Sequence, residues 1–198
     1  SLNDDVLDQK KNNYLAAVFY NKRWGVSFLD ISTGDFLVSE GNVEEIEQLL
    51  QSYIASEVLI PKPKKQIFKE HFGTQYPCFY MEDWSFEIDT AKQKLISHFQ
   101  THSLEGFGIK NYDVGICAAG AIMHYLSETQ HDKLKHITRI APIIKDKHVW
   151  LDRFTQRNLE LFQPNHPEGV PLINVIDQSK TAMGARLLRR WLAFPLKD

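Results

Sequence analysis

The sequence predicts a mixed α/β protein: five strands in one sheet, helices on its faces, and a partial all-α segment behind it. Three observations carry that reading. Apolar runs of strand length follow one another between residues 14 and 39, with turns of only a few residues between them. From Val43 the apolar residues switch to helical spacing, and helix and strand signals then alternate. After about residue 136 the strand signals give way to apolar helices with no obvious sheet partner of their own.

The first 13 residues are polar and are expected to be frayed or helical. Tyr14–Tyr20 is continuously apolar, the pattern of a strand buried on both faces. Asn21-Lys22-Arg23 forms a turn. Trp24–Ile31 alternates, with Trp24, Val26 and Phe28 on one face and Gly25, Ser27 and Leu29 on the other. Ser32-Thr33-Gly34 is the next turn, with Gly34 free to take positive φ, and Asp35–Ser39 is the third strand. Such short connections make an antiparallel meander.

Val43, Ile46, Leu49, Leu50 and Tyr53 then mark a helix, with Asn42 as its N-cap and Glu44 and Glu45 favoured by its dipole. Glu57–Ile60 is a strand ended by Pro61-Lys62-Pro63. Lys64–Phe72 is a helix stopped by Gly73. Tyr76–Tyr80 is a strand that Pro77 restricts to an edge or a strand start. Ile88, Ala91, Leu95 and Phe99 mark the next helix, and Val114, Ala118, Ala121, Ile122 and Tyr125 the one after. The order β-β-β-α-β-α-β-α-α, a meander followed by crossovers, is that of a ribonuclease-H-like sheet.

Further on, His136–Ile144 is extended and closed by the charged loop Lys145-Asp146-Lys147. Asp152–Phe162 is a helix. Gln163–Pro171, with three prolines and one glycine, is a loop. Leu172–Ile176 is a short apolar stretch. Thr181 caps a strong helix whose apolar face is Met183, Leu187, Leu188, Trp191 and Leu192, and Pro195 stops it. Leaving such faces in water costs about 25 cal/mol per Å², so these helices either pack back on the first unit or belong to something larger. An end at Asp198, straight after a helix and a turn, suits the second expectation.

Composition excludes several function classes. The 198 residues are 43% apolar and 12% aromatic, with 12 Phe, 7 Tyr and 4 Trp, enough for a sizeable core and against disorder. Lys and Arg number 23 against 25 Asp and Glu, so no global basic field points to nucleic acid. Cys78 and Cys117 make no disulfide framework, which sets a reducing cytoplasm as the expected compartment. The longest small or apolar run, Cys117–Met123, is far short of the roughly 18 residues of a membrane helix.

The chemistry-bearing residues are sparse. Asp30 and Asp35 lie near one sheet end, and a divalent-metal nuclease would need Glu57 and Asp113 to join them. The simpler reading is that Asp30 accepts hydrogen bonds from the Ser32-Thr33-Gly34 turn. His98 and His102 are spaced i,i+4, but no acid or thiol completes a tetrahedral metal set. Cys117 sits on an alanine-rich helix as a small buried hydrophobe. The chain holds no G-x-x-x-x-G-K-[ST], no G-x-G-x-x-G and no G-x-S-x-G. Arg186, Arg189 and Arg190 form a basic cluster on the last helix, read first as a charge bias that complements its C-terminal dipole and alternatively as a phosphate or interdomain contact.

Several runs carry a resemblance. Leu151-Asp152-Arg153-Phe154-Thr155-Gln156-Arg157-Asn158-Leu159-Glu160-Leu161, then Val175-Ile176-Asp177, then the run from Thr181 to Leu192, resemble the start of the core domain of the MutS family of DNA mismatch-recognition proteins. Phe28-Leu29-Asp30-Ile31-Ser32-Thr33-Gly34 is similar to the second-strand signature of the MutS connector domain. Phe107-Gly108, Cys117-Ala118-Ala119-Gly120-Ala121, Tyr125-Leu126 and Thr129-Gln130 continue that similarity.

The resemblance implies a connector domain over residues 3–148, ribonuclease-H-like without nuclease activity, and the N-terminal part of the helical core domain over 149–198. It implies no catalytic residue, no metal and no cofactor within this chain. ATP and Mg belong to the full-length family protein, whose Walker motifs are absent here. Mismatched duplex DNA is a partner of other domains, since neither Phe68-Lys69-Glu70 nor Phe86-Glu87-Ile88 supplies the family's mismatch-inserting Phe-x-Glu in its context. The remaining implied partners are MutL and a second MutS copy. On the Ile88–Gln100 helix the stripe leaves Lys92, Gln93 and Lys94 towards solvent or its margin. Gln93 and Lys94 are the expected MutL-docking residues. Two other classes stay open: a divalent-metal nuclease, and a stand-alone DNA-binding module, which the balanced charge disfavours.

Overall fold

The structure is a computed structural model that describes residues 14–129, 131–144, 149, 151, 153–193 and 195. The expected N-terminal fray or helix, the 145–147 loop and Asp152 lie outside the described residues. The chain divides into two units. One takes residues up to Glu47 from the first strand, together with Ala55–Ile143; the other takes Gln48–Ile54 and the residues from Ile144 on.

The first unit is built on a sheet. β1 (Tyr14–Asn21), β2 (Arg23–Asp30) and β3 (Phe36–Gly41) form the meander. β1 pairs antiparallel with β2, and β2 with β3, in a continuous register from Tyr14 opposite Asp30 to Asn21 opposite Arg23. β4 (Ala55–Pro61) runs parallel to β1, and β5 (Cys78–Met81) parallel to β4. Among the described residues the sheet has six strands, in the order β5-β4-β1-β2-β3-β6.

The sixth strand corrects the five-strand expectation. Within the apolar segment read only as extended, β6 (Ile140–Pro142) pairs parallel with β3. Its three residues are too few to show a period. The partner strand, not the local sequence, makes it a strand. β2 departs from its alternation in a second way: every residue from Trp24 to Asp30 is buried, on both faces.

Between the strands lie α1 (Val43–Ser52) and α2 (Lys65–Phe72), then α3 (Ile88–Phe99) and α4 (Asp113–Thr129). The Asn42 cap expected for α1 is a full capping box. Asn42 Oδ1 accepts from Glu45 N at 2.9 Å, and Glu45 Oε2 accepts from Asn42 N at 2.8 Å. Gly34 turns the β2–β3 connection at φ 76°, and Asp30 Oδ1 accepts from Ser32 N at 2.8 Å and Thr33 N at 3.3 Å, as the turn reading requires.

The core sits between the sheet and the α3–α4 pair. α4 runs across β2, β1 and β3, and α3 packs against α4. Twelve of its residues are buried, Val114 through His124 and Leu126, because one side meets the sheet and another meets α3. A side chain on Gly120 would put its Cβ 2.3 Å from the Ala91 Cβ. The absence of one there lets the two helix backbones approach.

The second unit carries α5 (Arg153–Asn158), α6 (Leu172–Ile176) and α7 (Ala182–Ala193). α5 is shorter than the Asp152–Phe162 helix expected. The chain leaves helical geometry at Glu160, φ 48°, and Leu161 N returns to the Gln156 carbonyl at 3.1 Å. The stretch 172–176, read only as apolar, is a single helical turn. Thr181 caps α7 as expected, its Oγ1 accepting from Gly184 N at 3.1 Å.

Candidate partner-docking surface

Ala91 and Leu95 point α3 into the core. Four-residue spacing then places Gln93 on the opposite side, where it is exposed, and Lys94 at the margin, where it is half-buried. Lys92 Nζ lies 3.0 Å from Asp113 Oδ1, an ion pair with both side chains well exposed and so of little energetic weight.

Lys94 reaches across to α4. Its Nζ is 3.3 Å from His124 Nδ1. An ammonium only donates, so Nδ1 is the acceptor and the ring proton sits on Nε2, facing Glu128 Oε1 at 3.6 Å. Burial first, and the Lys94 charge second, hold the His124 pKa below the ordinary histidine value, with Glu128 opposing them. The imidazole is therefore neutral at pH 7.

Two aromatic rings lie on consecutive residues of α4. The Trp84 ring is 4.7 Å from that of His124, and the Phe79 ring 5.3 Å from that of Tyr125. Trp84 stands on the 3-10 turn Asp83–Phe86 and Phe79 on the edge strand β5. Tyr125 in turn donates its hydroxyl to Glu57 Oε2 at 2.7 Å; burial and this carboxylate push the phenol up to about 12. The sequence reading missed Trp84, Phe79 and His124. The one signal for Trp84 was a large aromatic inside the acidic run Glu82-Asp83-Trp84.

The position of α4 depends on a carboxylate from the sheet. Glu40, on β3 and 7% exposed, accepts from Val114 N at 2.6 Å and Gly115 N at 3.1 Å through Oε1. Its Oε2 lies 3.2 Å from Arg23 Nε. A helix N-terminus is a natural phosphate site, but here a carboxylate already takes its amides. Together with the missing glycine-rich loop, this leaves α4 unsuited to the phosphates of ATP.

The other sequence candidates are dispersed. Asp30 is turned into its own β-turn, Glu57 accepts from Tyr125, and Asp113 pairs with Lys92. The structure does not bring Asp30, Asp35, Glu57 and Asp113 together as a metal set, and among the described residues no three His, Cys, Asp or Glu gather as one. His98 donates Nε2–H to the Ile137 carbonyl at 2.7 Å, while His102 is exposed. Cys117 is buried and its thiol is pushed up to about 12, first by burial and then by Asp113. In the second unit Arg189 lies over the Phe162 ring at 5.0 Å. No described helix is long and apolar enough to cross a membrane.

Among the described residues the first unit is thus a mixed α/β domain, a six-stranded sheet with the α3–α4 pair packed on it. Comparison with known proteins makes this specific. The family model described as MutS domain II matches residues 13–138, and that of MutS domain III matches residues 154–198. The chain belongs to the MutS family. It is 54% identical over 199 aligned residues to the DNA mismatch repair protein MutS of Flavobacterium psychrophilum. It is 55% identical over the same length to those of Flavobacterium johnsoniae and Cytophaga hutchinsonii. Each alignment covers 100% of this chain and 23% of the relative, so the chain spans about a quarter of their length.

Proposed function

We propose that this chain is a non-catalytic part of a DNA mismatch-repair ATPase. Residues 3–148 act as its connector domain, ribonuclease-H-like in fold, and residues 149–198 as the N-terminal part of its helical core domain. The connector joins the mismatch-binding domain to the core, transmits conformational change between them, and docks MutL at a surface that includes Gln93 and Lys94.

The observation that carries the docking reading is the outward face of α3. Gln93 is exposed, and Lys94 is held in place by His124 beside the half-exposed Trp84. An ordered, mixed polar and aromatic surface suits a transient interface, whose overall polarity matches ordinary protein surface. The ribonuclease-H-like reading is supported by the antiparallel β1–β3 meander with β4 and β5 added parallel beside β1. In this reading ATP with Mg, mismatched duplex DNA and a second MutS copy are bound by the whole protein, through domains beyond those matched here, and the protein works in the cytoplasm.

The test is an interferometry titration of the chain against MutL, with mismatched duplex DNA as a parallel analyte. Binding to MutL without mismatch preference is expected, weakened about tenfold by a Gln93→Trp/Lys94→Glu pair, the equivalent of about 1.4 kcal/mol. Unchanged affinity in that variant removes this surface from the reading. No MutL binding by the folded chain leaves it as a structural linker.

A further inference from the structure

In the sheet unit, the large apolar side chains that the described residues leave exposed are Phe79, at 44%, and Trp84, at 50%. Single exposed apolar residues are commonplace. These two are not scattered. They stand against Tyr125 and His124, adjacent in sequence on α4, and His124 is the group that Lys94 contacts.

Each exposed ring comes with a backing residue and a carboxylate. Phe79 rests on Tyr125, which holds Glu57; Trp84 rests on His124, which faces Glu128. Glu82, Asp83 and Glu87, all exposed, flank Trp84 in the chain. Of the cations nearby, Lys62 pairs with Glu82, while Lys94, against the neutral His124, and Lys65, over the Tyr80 ring, keep their charge but are outnumbered by Glu57, Asp83, Glu87 and Glu128. The aromatic pair therefore stands in a rim of net negative charge.

An exposed tryptophan face attracts a cation through its quadrupole, and an arginine plane does this while stacking. Tryptophan is also among the residues that dominate binding energy at interfaces. Rings already packed against α4 lose little freedom when a partner covers them.

The geometry points to Trp84 and Phe79 as the anchors of the docking surface, receiving a protein segment that carries arginine or lysine beside apolar side chains. The carboxylates of Asp83, Glu87 and Glu128, with Glu57 behind Tyr125, supply the complementary charge. This rests on the reading that the α3–α4 face docks a protein, and it adds the chemical class of the docking segment.

The experiment uses the whole chain and three immobilised probes: a short peptide alternating Arg and Leu, its Glu/Leu counterpart, and MutL. Wild type is expected to bind the Arg/Leu peptide and not the Glu/Leu one. Trp84→Ala is expected to weaken binding to the Arg/Leu peptide and to MutL by about tenfold or more, and Glu128→Lys to weaken both and steepen neither with salt. Circular dichroism checks that each variant is folded; Glu128 is a surface residue whose reversal leaves the core intact. Equal binding of the two peptides, or Arg/Leu affinity unmoved by both variants, overturns the proposal. If MutL fails to bind wild type while the Arg/Leu peptide binds through Trp84, the surface stands and the MutL reading falls.

Discussion

Replacing Glu40 by alanine is expected to loosen α4 from the sheet. The carboxylate is 7% exposed and accepts two backbone N–H groups, at 2.6 and 3.1 Å, from the first turn of α4. Alanine leaves both donors buried without that acceptor. A hydrogen bond to a charged group is worth about 1.5–3 kcal/mol, and an N-terminal cap about 1 kcal/mol. The two bonds share one oxygen and are not additive, so the loss is taken as about 3 kcal/mol. The Arg23 pair adds little, since its guanidinium side is 57% exposed. With a urea m-value of about 2 kcal/mol/M, the midpoint falls by about 1.5 M. Glu40→Gln keeps an acceptor oxygen in place and is expected to lose about a third of that. The assay is equilibrium urea unfolding followed by far-UV circular dichroism. A midpoint change below about 0.3 M in Glu40→Ala refutes the reasoning, because the amides would then have found water or another acceptor at little cost.

Further expectations follow from the same geometry. Gly120→Val forces α3 and α4 apart at Ala91 and should cost about 1–3 kcal/mol by urea unfolding, while Gly106→Val, where an added Cβ meets nothing within 4 Å, should cost far less. His124 titrates below the ordinary histidine value of about 6.5, so its neutral form favours the fold. Its contribution is complete above that value and is lost as pH falls through the lower folded pKa. His124→Gln should flatten the stability profile between about pH 6.5 and the acid limb. With its thiol near 12, Cys117 should resist iodoacetamide in the folded chain at pH 8 and react once urea unfolds it, as mass spectrometry of the two cysteines would read.

The elements that could be read from the sequence are those whose signal is local. The meander was legible because apolar runs and short turns alternate there, and Gly34 and Asp30 behave as turn chemistry requires. The Asn42 cap and the Gly73 stop were legible for the same reason; the latter sits at φ 79°. β6 was not, because three residues hold no period and only β3 makes them a strand. The end of α5 was misplaced because Leu159–Phe162 continue an apolar pattern through a residue that takes positive φ. On the candidate surface, Gln93 and Lys94 could be placed by helical spacing alone. His124 and Tyr125 looked like two more residues of an apolar helix.

By itself the sequence determined the order of β1–β5 and α1–α4, the core-facing residues of α1 and α3, the turn at Gly34, and the absence of any phosphate-loop or nucleophile motif. It did so because these depend on contacts within a few residues. It also carried the family resemblance through runs such as Phe28–Gly34 and Thr181–Leu192. Tertiary structure alone decided that Glu40, 74 residues from Val114, would hold the start of α4. It alone brought Lys94 onto His124 across 30 residues, and Phe79 onto Tyr125 from the edge of the sheet. Those pairings are set by which strands neighbour one another and by how closely α3 approaches α4, and no local period encodes either.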